Sequence, residues 1–261
     1  MKLPIYQVDA FTDRLFAGNP AAVCLLEHWL SSDQMLKIAQ ENNLAETAFC
    51  LQKEDTFFIK WFTPEIEMDL CGHATLATAH VLFQYYHPEL ELLRFQSNSG
   101  ELRVRRDGEL YQLDFPSRDP SPADLPAIIL QGIGLAPKEV LKARDFVLLY
   151  DTQEQIESIQ PDVALLNTIN IDPGGIVVTA PGHEVDFVSR FFTPQASIFE
   201  DPVTGSAHCS LIPFWSKRLN KQRMLAHQVS SRGGVLYVED KGERVGIAGK
   251  AVTYLKGTIQ I

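Results

Sequence analysis

Cysteine is scarce in this 261-residue chain, and its four copies are not arranged for a shared metal or redox site. Cys24, Cys50, Cys71 and Cys209 form neither a CxxC pair nor a cluster with zinc-finger spacing. No histidine, cysteine and carboxylate group has convincing metal-ligand spacing. The chain also lacks GxGxxG and P-loop motifs, which argues against nucleotide cofactors. The sequence therefore predicts no metal and no cofactor.

Long apolar runs and excess positive charge are also missing. No run approaches the roughly 20 apolar residues of a membrane span, and the first residues lack the apolar core of a signal peptide. The formal net charge is −10, and an acidic surface repels nucleic acid and anionic membranes. With no disulfide framework, the default interpretation is a cytoplasmic protein with reduced thiols. Neither nucleic acid nor membrane is an expected partner.

The second half of the chain repeats segments of the first half, in order and at a nearly constant offset. The matching pairs are WFTP at 61–64 with FFTP at 191–194, CGHA at 71–74 with TGSA at 204–207, SNSGELRV at 97–104 with SRGGVLYV at 231–238, and DGE at 107–109 with KGE at 241–243. One such match is uninformative, but four in order indicate a duplication. A coincidence among strand-rich segments is the alternative.

The proline-rich stretch between Pro116 and Pro126 reads as a linker between the two copies. We predict an N-terminal half at 1–116 and a C-terminal half at 117–261. The segment 251–261 has no counterpart in the first half, and we expect it to return to the first unit as a last strand.

Each half has the pattern of an α+β unit. Strands are expected where β-rich or alternating runs occur, namely at 3–8, 21–26, 47–51, 57–62, 92–105 and 109–115. Ser31 with Gln34 resembles a capping box and predicts a helix over 31–41. The segments 72–86 and 205–215 are apolar nearly all round, which is typical of buried helices. Pro213 is expected to kink or end the second of them.

Both predicted buried helices begin at a glycine, Gly72 in the first half and Gly205 in the second. The first N–H groups of a helix lack helical partners and carry partial positive charge. Two such helix starts facing one cleft between the halves would hold an anion such as a carboxylate. The alternative is that both glycines only permit tight packing of helix on sheet.

Three further side chains are candidates for chemistry. Glu46 would share one strand face with Leu44 and Ala48, where a carboxylate is rarely buried without a reason; otherwise it is a solvated residue at the start of the strand. His73 follows Gly72 and either donates to substrate or only caps and packs the helix. Asp201 either faces the cleft or, with the proline after it, starts the helix.

These residues belong to segments that together resemble the PhzF-like phenazine biosynthesis proteins. The segments are VDAF at 8–11, GNPAAV at 18–23, LAETAF at 44–49, FTP at 62–64, CGHAT at 71–75 and EDPVTGSA at 200–207. They run in order along nearly the whole chain.

The resemblance implies the diaminopimelate epimerase-like fold, in which two pseudo-symmetric domains each curve a β-sheet around a central helix. It implies an isomerase that moves a proton on its substrate without metal or cofactor, with Glu46 as the catalytic glutamate. His73, Asp201 and Ser206 match the family's supporting residues. The family's namesake acts on trans-2,3-dihydro-3-hydroxyanthranilate, and members are commonly homodimers, so a homodimer is expected.

The hypothesis is that a small carboxylate-bearing substrate is held by Gly72, Gly205 and Ser206, while Glu46 moves a proton between carbons. His73 and Asp201 would orient the substrate or hold the second proton. An epimerase-type exchange using Cys71 is an alternative. It is disfavoured because the related two-thiol epimerases place a second cysteine where this chain has Thr204. A third possibility is a small-carboxylate binding protein without activity.

Overall fold

The computed structural model describes residues 1–171 and 174–261. The chain divides into two compact units. The first contains Met1–Asp114 together with Ile247–Ile261, and the second contains Phe115–Gly246. Both units mix strands with helices, so the predicted α+β class, with two similar domains of curved sheet around a central helix, is confirmed.

The first unit is built mainly from these elements: β1 (Lys2–Ala10), β2 (Asn19–Leu26), α1 (Ser32–Asn42), β3 (Glu46–Lys53), β4 (Thr56–Phe62), β5 (Glu67–Met68), α2 (Gly72–Tyr85), β6 (Leu92–Ser97), β7 (Gly100–Asp107) and, after the second unit, β17 (Ala251–Gln260). The chain passes between the units at two strands, β8 (Leu110–Pro116) and β16 (Arg244–Gly249).

The second unit contains the remaining elements: β9 (Ser121–Pro122), α3 (Ala127–Ile133), β10 (Glu139–Lys142), β11 (Phe146–Leu149), α4 (Gln153–Ser158), α5 (Val163–Leu166), β12 (Ile176–Pro181), β13 (Phe187–Phe192), α6 (Gly205–Leu219), β14 (Arg223–Gln228) and β15 (Gly234–Asp240).

The two units share one order of strand pairing. In the first, β2 and β3 are parallel, β3 and β4 antiparallel, β4 and β6 parallel, and β6 and β7 form a hairpin. The second unit repeats this order: β11 and β12 are parallel, β12 and β13 antiparallel, β13 and β14 parallel, and β14 and β15 antiparallel. Helices lie between the strands of each parallel pair, as a parallel connection requires. The shared order supports the duplication inferred from the sequence repeats.

The last strand, β17, pairs with the first. The antiparallel ladder runs from Lys2 opposite Gln260 to Ala10 opposite Ala251, with a shift of register between Gln7 and Val8. Strand β1 also pairs with β2 on its other edge, so the two chain ends meet in one sheet of the first unit.

A buried helix lies at the centre of each unit, as its uniform apolar character predicts. In α2 every residue from His73 to Phe83 is buried, and the helix packs against β1, β2, β3 and β17. In α6 every residue from Ala207 to Ser216 is buried, and Trp215 donates from Nε1 to Thr179 Oγ1 of β12 at 3.0 Å. No helix among the described residues is long and apolar enough to cross a membrane.

The capping box before α1 is present. Ser31 Oγ accepts a hydrogen bond from the Gln34 backbone N–H at 3.2 Å, and Gln34 Oε1 accepts one from the Ser31 N–H at 3.2 Å. These two bonds satisfy donors that the first helical turn leaves unpaired, so the helix begins where the sequence predicts.

Two predicted element bounds need correction. The run at 92–105 is two strands, because the chain reverses between Ser97 and Gly100. Helix α6 continues through Pro213 to Leu219 instead of ending there. A proline lacks the N–H that would reach the carbonyl four residues back. That carbonyl, Cys209 O, accepts a hydrogen bond from the Arg118 backbone N–H at 2.9 Å instead.

Candidate active site

Glu46 and His73 are brought together in the first unit. Glu46 is the first residue of β3, and His73 is the second residue of α2. His73 Nε2 lies 3.1 Å from Glu46 Oε2, with only 6% of the His73 side chain and 16% of the Glu46 side chain exposed. Strand β3 does not extend back to Leu44, so Glu46 lies at the start of the strand, as one alternative predicted. Its side chain is nevertheless mostly buried and not solvated.

The contact between these two residues leaves hydrogen-bonding capacity unused. Both Glu46 Oε2 and His73 Nε2 are buried atoms without a hydrogen-bond partner of good geometry among the described residues. The pair is therefore a close polar contact and not a well-directed hydrogen bond. Buried polar atoms have hydrogen-bond partners in most proteins. Two neighbouring buried atoms without such partners therefore point to a role in binding or catalysis.

The other ring nitrogen of His73 has two neighbours. Asn19 Nδ2 lies 3.2 Å from His73 Nδ1, and Cys71 Sγ lies 3.6 Å from the same nitrogen. Asn19 stands in the sequence within the segment GNPAAV at 18–23, and its contact with His73 was not predicted. Its one available signal was a polar residue directly before Pro20 in a segment shared with the family.

The ionisable groups of this cluster influence one another. Burial raises the pKa of the Cys71 thiol, and the negative charge of Glu46 raises it further, so the thiol is neutral near pH 7. Burial lowers the pKa of His73, but the ionised forms of Cys71 and Glu46 raise it, and the net direction is upward.

Glu46, Cys71 and His73 also meet the distance condition for a metal site, since one ligand atom from each lies within 4.8 Å of the others. Sequence spacing did not reveal this group. Sγ lies beside Nδ1 and Oε2 lies beside Nε2. The two contacts therefore lie on different nitrogens of the ring, which is the order of a chain of proton donors and acceptors.

In the second unit, Asp201 is held before α6 by a hydrogen-bonded network. Thr204 Oγ1 donates to Asp201 Oδ2 at 2.5 Å. Gln228, at the end of β14 and fully buried, accepts from the Thr204 N–H at 2.8 Å and donates from Nε2 to Asp201 O at 2.7 Å and to Thr204 Oγ1 at 3.2 Å. The N-cap residue is Thr204, so Asp201 does not start the helix as one alternative supposed. Gln228 is the second residue that sequence reasoning missed.

The central helices begin at the two predicted glycines. Gly72 follows the N-cap residue Cys71, and Gly205 follows Thr204, and neither N-cap side chain bonds to the first turn. Ser206 is partly exposed at the second position of α6. Each helix start therefore presents backbone N–H groups without a side-chain cap, as the predicted carboxylate site requires.

A family model described as phenazine biosynthesis-like protein matches residues 8–257. The chain belongs to the phenazine biosynthesis-like family. An uncharacterized isomerase of Pseudomonas aeruginosa is 47% identical over 261 residues, covering 100% of both chains. The crystal structure of a PhzF family protein from Enterococcus faecalis is similar with a TM-score of 0.96 at 47% identity, covering 100% of both chains.

A hydroxyproline epimerase from Agrobacterium vitis, crystallised with trans-4-OH-L-proline, has a TM-score of 0.62 at 10% identity, over 99% of this chain and 91% of that one. At this identity the likeness shows the shared fold alone. The predicted family and the predicted enzyme class, isomerase, are confirmed.

Proposed function

We propose that this family member is a cofactor-independent isomerase that moves a proton on a small carboxylate-bearing substrate, with Glu46 as the acid–base group. The observation that carries the proposal is the buried pair Glu46 Oε2 and His73 Nε2, 3.1 Å apart and without hydrogen-bond partners among the described residues. A substrate group that reaches these atoms gains hydrogen bonds that the free protein leaves unmade.

The proposed proton transfer balances without a further reactant. The Glu46 carboxylate removes a proton from a substrate carbon and becomes a neutral acid, while the electron pair of the C–H bond moves into the substrate. The same carboxyl group, whose O–H proton exchanges with solvent, then gives a proton to a different carbon. Product and substrate have the same composition, and Glu46 ends as a carboxylate.

The remaining candidates support this step in the proposal. His73 donates from Nε2 to the substrate or to Glu46. Gly72 at the start of α2, and Gly205 and Ser206 at the start of α6, are proposed to bind the substrate carboxylate. Asp201 is proposed to hold the second proton or orient the substrate, and Thr204 and Gln228 fix its position. A homodimer in the cytoplasm remains a prediction from the sequence.

The test is hydrogen exchange in D₂O, followed by NMR, over a panel of small carboxylates and amino acids. Wild-type protein should exchange a carbon-bound hydrogen of at least one compound. Glu46→Gln keeps the shape of the side chain but cannot take a proton, so the exchange rate should fall at least about a hundredfold. Glu41→Gln, on the exposed face of α1, is the matched control and should leave the rate unchanged.

Two outcomes decide against the proposal. Persistent exchange in Glu46→Gln would show that another group carries the proton. If the wild-type protein binds a carboxylate but exchanges hydrogen in no compound of the panel, the alternative of a binding protein without activity is favoured.

An epimerase-type exchange using Cys71 is kept as the second candidate, because Cys71 Sγ lies 3.6 Å from His73 Nδ1. Two observations weigh against it. The pKa of the thiol is raised by burial, which disfavours a thiolate base. The matching position before α6 is Thr204, whose hydroxyl is committed to Asp201 and does not act as an acid–base group near neutral pH.

A further inference from the structure

Asn19 is held in place by its two chain neighbours. Gly18 has a φ of +65°, and a Cβ at that position would lie 2.1 Å from Ala10 O, so only glycine allows the tight return from β1. Pro20 restricts the preceding residue to extended backbone. Asn19 therefore begins β2 opposite Ala10 in a single backbone conformation, with its side chain fully buried.

The chemistry of the amide determines what the contact with His73 means. Asn19 Nδ2 carries only hydrogens to donate, and it lies 3.2 Å from His73 Nδ1. That nitrogen must then present a lone pair, so a neutral ring carries its proton on Nε2. Nε2 is the nitrogen that lies 3.1 Å from Glu46 Oε2.

We propose that Asn19 is a positioning residue that keeps the proton of neutral His73 on Nε2, the ring nitrogen 3.1 Å from Glu46 Oε2. This proposal adds a residue to the proposed function, and the importance of the tautomer for catalysis rests on that function. An imidazole with the opposite tautomer would turn a lone pair toward the carboxylate of Glu46 and would have no proton to donate there. The neutral thiol of Cys71 supports the same tautomer, because its S–H can also donate to Nδ1.

The groups that face His73 act in opposite directions on its second proton. Glu46, from β3, favours the imidazolium through its charge, and an ionised Cys71 would do the same. Asn19, from β2, opposes it, because an imidazolium would bring the Nδ1 hydrogen against the amide hydrogens. Replacing this donor by an acceptor should therefore change both the tautomer and the titration of His73.

The test is a two-bond ¹H–¹⁵N correlation spectrum of the full chain labelled with ¹⁵N-histidine, recorded across pH without any ligand. His73→Gln assigns the His73 signals. In the wild type, above the imidazole titration, we expect Nε2 protonated and Nδ1 bare. In Asn19→Asp the carboxylate accepts from Nδ1, so the proton moves to Nδ1 and the midpoint of the His73 titration rises by at least about one pH unit.

Two further variants separate positioning from folding. Asn19→Leu removes both donor and acceptor and should give a mixture of the two tautomers. Asn98→Asp makes the same amide-to-acid change in the exposed turn between β6 and β7, where Asn98 donates to Glu67 at 3.2 Å, and should leave the His73 signals unchanged. A loss of stability alone would move the unfolding midpoint but not the tautomer.

The proposal is overturned if wild-type His73 carries its proton on Nδ1, or if Asn19→Asp leaves the tautomer and the titration midpoint unchanged. Either result leaves the role of Glu46 intact, since that role is judged by exchange in Glu46→Gln. Conversely, exchange that persists in Glu46→Gln removes the proposed function whatever the tautomer of His73.

Discussion

Cys71 and Thr204 occupy matching positions before the two central helices, yet their side chains have different roles. Cys71 is 5% exposed, and its Sγ lies 3.6 Å from His73 Nδ1, where it remains a neutral thiol. Thr204 donates to Asp201 and accepts from Gln228, so its hydroxyl fixes the carboxylate. The two matching positions therefore differ in chemistry, and only the first of them carries a thiol.

The role of Cys71 can be tested by substitution. Because the thiol is neutral and behaves as a small buried residue, Cys71→Ser should lower the exchange rate by no more than about threefold. The measurement is the D₂O exchange assay with the compound on which the wild type is active. Loss of exchange in this variant, together with inversion at the exchanging carbon in the wild type, would establish the epimerase alternative instead.

At the scale of secondary-structure elements, α6 depends on contacts from outside the helix at two places. Its interior proline leaves Cys209 O without a helical donor, and Arg118 supplies one from the segment that follows β8. Its N-cap residue does not cap through its own side chain, and Gln228 from β14 binds the Thr204 N–H instead. The start and the middle of α6 are thus completed by neighbouring segments.

Gln228→Leu should destabilise the second unit by about 2 kcal/mol, because a buried N–H and the Thr204 hydroxyl lose their partner. Urea unfolding measures the effect. Gln131→Leu, on the exposed surface of α3 in the same unit, is the control and should change stability by less than about 0.5 kcal/mol. Equal unfolding midpoints for the two variants would show that the network around Gln228 is not stabilising.

At the scale of the whole molecule, the two units repeat one order of strands and helices, and the last strand belongs to the unit that begins the chain. β17 pairs with β1 along its whole length, and Thr253 accepts a hydrogen bond at 3.1 Å from Tyr85 and contacts His80 at 2.9 Å. The sheet and the central helix of the first unit therefore both depend on residues after 250.

Truncation after Lys250 tests this dependence. The shortened chain should lose amide hydrogen-exchange protection in β1 and in α2, since the ladder to β17 and the contacts of Thr253 disappear. Strands β12 and β13 of the second unit, which pair with each other, should keep their protection. Protection of β1 at the wild-type level in the truncated chain would contradict the prediction.

Local signals explain why much of the fold was predictable. The capping box at Ser31, the glycine at the start of each central helix and the uniform apolar character of those helices act within one or two helical turns. Strand bounds were less accurate: the run at 92–105 hid a turn, and Glu46 proved to begin its strand. Asn98 and Gly100 are turn residues that mark the reversal, but strand-like alternation on both sides of them predicted one continuous run.

The sequence by itself determined the family, the α+β architecture, the central helices and Glu46, His73 and Asp201 as candidates, because motifs and periodicity are properties of neighbouring residues. Only the tertiary structure decided that Asn19 contacts His73 and that Gln228 binds Thr204. The same holds for the Arg118 N–H, which donates to the carbonyl that Pro213 leaves without a helical partner. These partners lie far apart along the chain, and hydrogen bonds form only where folding brings donor and acceptor within about 3 Å.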